Sequence, residues 1–253
     1  MFGISQSGGS PDLVQALEVA RAQGALTVAV TNNAGSELAQ VAEVHVDILA
    51  GTERAVAATK SYTAQLLAMY LLLDLVRGGS RAAADALPDL GDELLLREPE
   101  IAAQAQRFRF AQRLVTTARG YSYPTAREAA LKLMETSYVS AQAFSGADLM
   151  HGSLAMVDAQ VPVLAVVADG PGGRAMRAVL PSLTASGADV FTVGTRQAVA
   201  DSTSGIVMPP GIPEELSPIL EILPVQQLAM HLAVARGEDP DAPRGLFKVT
   251  NTL

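Results

Sequence analysis

Two stretches of this chain spell out the same order of elements, and that duplication limits the possible folds more than any other feature. "FGISQSGG", "LTVAVTNN" and "EVHVDI" follow one another in the first half, and "LAVVADGPGG", "ADVFTVGT" and "GIVMP" in the second. The steps from strand to strand are about 25 then about 17 residues in the first series, and about 26 then about 16 in the second. Each series closes on a long apolar helix, from about Glu53 to Val76 and from about Pro213 to Arg236. Apolar strand, polar turn and amphipathic helix in alternation predict parallel strands joined by helical crossovers. Composition agrees: 49% of residues are hydrophobic but only 4% aromatic, and Trp is absent. A core of Ala, Leu and Val suits buried parallel strands covered by helices.

The second series has two further elements in front, the strand "RLVTTARG" and the helix "PTAREAALKLMETS", followed by a segment reaching His151. The first series has no counterpart to them, so the first repeat is expected to lack its N-terminal part. Residues 78–108 have helical composition broken by Gly, Pro and charge. They are read as helices joining two repeats, 1–97 and 98–253. "SPDLVQALEVARAQG" is expected to be a helix with Ser10 as N-cap, Pro11 at its first position and Gly24 at its stop. "RAMRAVLPSLTASG" is expected to be another.

Charge and composition exclude several classes. A net charge of −8 disfavours nucleic acid, whose phosphates need clustered Lys and Arg. The absence of Cys removes disulfides and Cys-ligated zinc and fits a reducing cytoplasm. No secretory leader is read at the start. The most apolar helical run, "AQLLAMYLLLDLV", is too short to cross a bilayer. His45, His151 and His231 do not have metal-ligand spacing; His45 and His231 are read as packing residues within apolar patterns.

Three places carry candidate chemistry. In "SQSGGS", Ser5, Gln6, Ser7 and Ser10 lie between a strand and a helix N-terminus, where backbone N–H groups and the helix dipole favour an anion. The same string also suits a plain strand-to-helix turn. In "TERAVAATKSYTAQ", Thr52 is expected to cap the long helix with Lys60 about two turns inside it, either in a site or simply in solvent. In "REAALKLMETSY", Glu128, Lys132 and Glu135 share one helix face. That face reads either as a salt-bridged exposed stripe or, with His151 of "FSGADLMHGSLAMV", as acid–base machinery for sugar chemistry.

Taken together, these motifs resemble the sugar isomerase (SIS) domain family, and within it the isomerase half of the glucosamine-6-phosphate synthases. "ISQSGGSPD" resembles the family's "SQSGET" phosphate loop, and "GTERAVAATKSYTAQ" its "GTE-VA-TK-T-Q" segment. "ARGYSYPTAREAALKLMETSY", "AFSGADLMHGSLAMV" and "PVQQLAMHLAVARGEDPDAPRGLFKVTNTL" resemble three further motifs in the family's order. The resemblance implies an α/β fold of two SIS repeats, each a five-stranded parallel sheet flanked by helices, with the first incomplete at its start. It implies that Ser5, Gln6, Ser7 and Ser10 hold a sugar phosphate, and that Val56, Ala58 and Lys60 complete the substrate site. Glu135 would be the base moving a proton between carbon 1 and carbon 2, Lys132 its neighbouring lysine, His151 the ring-opening residue and Lys248 the lysine of the C-terminal tail. No cofactor or metal is expected. The expected setting is a cytoplasmic homodimer with shared active sites, binding neither nucleic acid nor membrane.

The chain also departs from the pattern. Gly9 replaces a Glu, Ser10 a Thr, Ala58 a ligand-contacting Ser and Met150 a Lys. With no Cys nucleophile, glutamine is not the expected nitrogen donor. The expected reaction interconverts glucosamine 6-phosphate and fructose 6-phosphate with ammonia entering or leaving. The competing readings are a sugar-phosphate-binding regulatory module without turnover and an inactive truncated fragment.

Overall fold

The structure, a computed structural model, describes residues 1–246. Packing divides the chain into two compact units. One comprises Met1–Gly79 and the described residues from Asp241 onward, and the other is Ser80–Pro240.

The first unit runs β1 (Phe2–Ile4), α1 (Pro11–Ala22), β2 (Val28–Thr31), α2 (Glu37–Val41), β3 (Val44–Asp47) and α3 (Lys60–Val76). Its three strands are parallel in chain order, with Phe2 opposite Val28 and Val28 opposite Val44. The central strand shows why helices cover both faces. Ala29 packs with Leu17 of α1 and Leu38 of α2. Val28 and Val30, pointing the other way, pack with Ala64, Ala68 and Met69 of α3. Helix α1 starts at Pro11 as expected, and Gly24 just beyond it has φ +83°.

Helix α3 begins seven residues later than expected. Thr52 does not cap it, and Lys60 is its first residue rather than lying two turns inside. The carboxylate of Glu53 reaches the helix start instead. Its Oε2 accepts the N–H groups of Thr59 (3.2 Å) and Ser61 (2.9 Å) and the Ser61 hydroxyl (2.8 Å). A side chain from outside the helix thus satisfies N–H groups that the first turn leaves open.

The second unit contains α4 (Leu87–Leu95), α5 (Glu98–Ala105), β4 (Arg113–Ala118), α6 (Tyr123–Ser137), β5 (Ser140–Ser145), α7 (Gly146–Met150), β6 (Val163–Val167), α8 (Pro171–Arg177), α9 (Leu180–Ala185), β7 (Val190–Gly194), α10 (Arg196–Ala200), β8 (Ser204–Val207) and α11 (Ser217–Ala235). Its five strands are parallel in the order β5-β4-β6-β7-β8. The buried strands β6 and β7 carry the core. Helices α4 and α5, from the stretch read as a linker, pack on α11. Helix α11 has the length and hydropathy of a membrane span but is mostly buried inside this unit.

The duplication is visible in the fold: β1-β2-β3 follow the same parallel order as β6-β7-β8. The short helices α2 and α10 are each capped by a hydroxyl, Ser36 Oγ accepting from Ala39 and Thr195 Oγ1 from Ala198. Two local readings are corrected. "RAMRAVLPSLTASG" forms two helices, because Pro181 has no N–H to bond and its ring excludes the preceding turn's carbonyl. His45 and His231 are hydrogen-bonded residues, to Thr31 Oγ1 (2.9 Å) and Glu98 Oε1 (3.1 Å), rather than apolar packing.

Candidate functional site

In the first unit, the turn after β1 is held by its own side-chain hydroxyls. The Ser5 hydroxyl accepts the N–H of Gly8 at 3.0 Å, and the Ser7 hydroxyl that of Gly9 at 3.3 Å. Each hydroxyl keeps its own proton available for donation. Gly8 has φ +66°, and a Cβ there would collide with Ser36. Ser10 occupies the N-cap position of the twelve-residue α1, but its hydroxyl makes no capping bond. The loop therefore presents hydroxyls and a helix N-terminus together, which is chemistry suited to an oxyanion.

Gln6 opens onto a groove of about 520 Å³ at the C-terminal ends of the three strands, shared with Asn32, Asp47 and Glu53. Asn32 braces it, donating to the Gly51 carbonyl (2.6 Å) and accepting from the Ala50 N–H (3.0 Å). Lys60 lines a neighbouring hollow with Glu53 and Arg54. Val56 and Ala58 lie half-buried in the irregular stretch before α3. Glu53 and Asn32 were not among the residues singled out from sequence; the Glu sits inside a quoted motif, but its capping role depends on where the helix begins.

In the second unit, the three residues predicted to share a face of α6 do meet. Lys132 Nζ lies 2.6 Å from Glu135 Oε2 and 3.3 Å from Glu128 Oε1. This is not an exposed stripe: Lys132 is only 4% exposed. Burial pushes the Glu128 carboxyl above its ordinary range, even with Lys132 beside it. Glu135 gives one oxygen to Lys132, and its Oε1 has no partner among the described residues. An ammonium between two carboxylates in a mostly dry setting costs desolvation that a structural role can avoid by using apolar residues. Such a cluster is a candidate for proton-transfer chemistry.

His151 follows α7 at its C-cap, and its backbone N–H bonds to the Ala147 and Asp148 carbonyls (both 3.2 Å). Its imidazole is exposed and has no hydrogen-bond partner among the described residues. Lys248 lies outside the described residues.

Comparison with known proteins gives a consistent answer. The SIS domain model matches residues 1–75 and 108–236. The glutamine–fructose-6-phosphate aminotransferase (isomerizing) of Thermococcus kodakarensis is 37% identical over 260 residues, covering 98% of this chain and 43% of that protein. Its counterpart from Thermotoga maritima is 33% identical with the same coverage. The chain thus spans less than half the length of these relatives. Among solved structures, the C-terminal domain of glucosamine-fructose-6-phosphate aminotransferase from Francisella tularensis superposes with a TM-score of 0.88 at 27% identity, over 96% of this chain and 73% of that one. A glucosamine-6-phosphate deaminase from Thermotoga maritima shares the fold, with a TM-score of 0.77 at 23% identity over 99% of this chain and 75% of that one.

Proposed function

Because the chain belongs to the SIS domain family, we propose that it is a sugar-phosphate isomerase of the aminotransferase or deaminase type, acting on a hexosamine or ketohexose 6-phosphate. The observation that carries this reading is the buried Lys132 held between the half-buried carboxylates of Glu128 and Glu135. Binding a phosphate needs no such group, whereas moving a proton beside a carbonyl does.

In the proposed reaction, Ser5, Gln6, Ser7 and Ser10 hold the phosphate, with Val56, Ala58 and Lys60 completing the substrate site. Oε1 of Glu135 moves a proton between carbon 1 and carbon 2 of the open-chain sugar, away from carbon 2 when ammonia leaves and onto carbon 2 when it enters. Lys132, donating to the other carboxylate oxygen, fixes the direction in which Glu135 points. His151 assists ring opening, and Lys248 attends the open-chain sugar. In the proposed reaction nitrogen enters or leaves as ammonia. The protein works as a cytoplasmic homodimer; Leu73, Leu75 and Val76, apolar and exposed on α3, suit a subunit contact. Sedimentation showing a fully active monomer refutes the dimer.

The deciding experiment follows exchange with deuterated solvent of the carbon-2 hydrogen of glucosamine 6-phosphate and of a carbon-1 hydrogen of fructose 6-phosphate. Glu135→Gln keeps shape and hydrogen bonding but cannot take a proton. Sugar-phosphate binding should survive while exchange falls by about 10²-fold or more. Exchange by Glu135→Gln at the wild-type rate removes Glu135 as the base. Binding without exchange in the wild-type chain supports a regulatory module instead.

A further inference from the structure

A cavity of about 480 Å³ opens at the C-terminal ends of β6, β7 and β8, built entirely from the second unit. This edge of a parallel sheet is where α/β folds bind ligands, and the volume is that of a small-molecule pocket. By the duplication it is the counterpart of the SQSGGS groove, but its chemistry differs. The glycine-rich turn after β6 is already occupied: the N–H groups of Gly172 and Gly173 donate to Glu214 Oε1 at 2.7 and 3.2 Å. A phosphate approaching those donors would meet a carboxylate of the chain itself.

The charges around the cavity are mainly negative. Glu93 and Asp169 line it, exposed and without an ion-pair or hydrogen-bond partner among the described residues. Glu221 forms part of the wall at 1% exposure, accepting from Ser122 (2.9 Å) and Thr125 (3.3 Å). Of the two lining arginines, Arg97 is committed to Glu100 (2.7 Å) and to the Val207 carbonyl (2.6 Å). Among the described lining residues, Arg196 is left to offset Glu93 and Asp169. Met208 and Pro209 add an apolar surface. Carboxylates of this kind recognise an amine and accept from hydroxyls, while an apolar wall suits the face of a sugar ring.

We propose that this cavity is a second ligand site, taking a small polyhydroxylated amine of hexosamine size that carries no phosphate. This site is independent of the sugar-phosphate reaction proposed above.

Calorimetric titration of the whole chain with D-glucosamine and, separately, D-glucose tests it. Glucosamine should saturate one site, with glucose at least about tenfold weaker. Glu93→Lys combined with Asp169→Lys should lower glucosamine affinity at least about tenfold. Both side chains are exposed, so the fold should tolerate the change, and circular dichroism checks this. Ile212→Arg, which fills the mouth from the rim, should have the same effect by a different route. Ser5→Ala with Ser7→Ala should leave glucosamine affinity within about twofold, because the proposed site uses neither. Four results each overturn the proposal: no saturation up to about 20 mM; equal binding of glucose; unchanged binding by the folded charge-reversed and Ile212→Arg variants; or loss of binding in the Ser5/Ser7 variant.

Discussion

Glu221 makes the stability of the second unit depend on pH in a way that can be worked out in advance. Its carboxyl is pushed up from 4.5 to about 7, mainly by burial, against the bonds from Ser122, Ser217 and Thr125 and with help from the nearby charge of Glu214. The folded chain therefore holds this proton more tightly than the unfolded chain. The resulting stability is fully present below about pH 4.5 and is lost as pH rises through about 7. At 1.36 kcal/mol per unit, the whole shift is worth about 3 kcal/mol, most of which falls between pH 5 and pH 8. At 1% exposure, solvent does not dilute the effect. Glu221→Gln keeps a hydrogen-bonding side chain of the same shape but cannot ionise. Its melting temperature should gain on the wild type by about 5–10 °C between pH 5 and pH 8, at about 2–4 °C per kcal/mol for a unit of this size. The chain has no Trp, so calorimetry or circular dichroism is the suitable readout. Any fixed cost of the substitution cancels in the pH difference. A gap between variant and wild type that stays constant across this range refutes the reasoning.

Other perturbations give separate checks. Lys132→Met strands two half-buried carboxylates and should destabilise the chain by up to about 3–5 kcal/mol, measured by urea unfolding; a cost under about 1 kcal/mol would mean the cluster is solvated. Glu53→Ala removes the acceptor at the start of α3. It should cost about 1–2 kcal/mol and speed amide exchange at Thr59 and Ser61; unchanged protection there would show that Glu53 does not hold the turn. Ser5→Ala with Ser7→Ala should weaken sugar-phosphate binding by about 1–3 kcal/mol in calorimetry, and unchanged affinity would leave the loop as a turn only.

The repeated order of strands, the parallel sheets and the Pro11 start of α1 were legible in the residues, because periodicity, Gly and Pro act within a few positions of themselves. So was the common face of Glu128, Lys132 and Glu135, since helical spacing alone sets it. Whether that face was wet or dry was not legible. The same spacing serves an exposed stripe and a buried ion cluster, and only the packing around α6 leaves Lys132 at 4% exposure. The start of α3 was misplaced because its cap comes from a Glu seven residues before the helix, and its geometry depends on how the intervening chain turns. Strand β5, a polar edge strand paired only to β4, carries no apolar run that marks it from its own residues. Glu221 was hidden in a helix read as apolar throughout. Its burial, its hydroxyl partners on a distant segment and its place in a cavity wall all come from α11 packing against α6, which residues about a hundred positions apart decide together. Local pattern determines which elements form, while the environment of a charge is a property of everything that surrounds it in space.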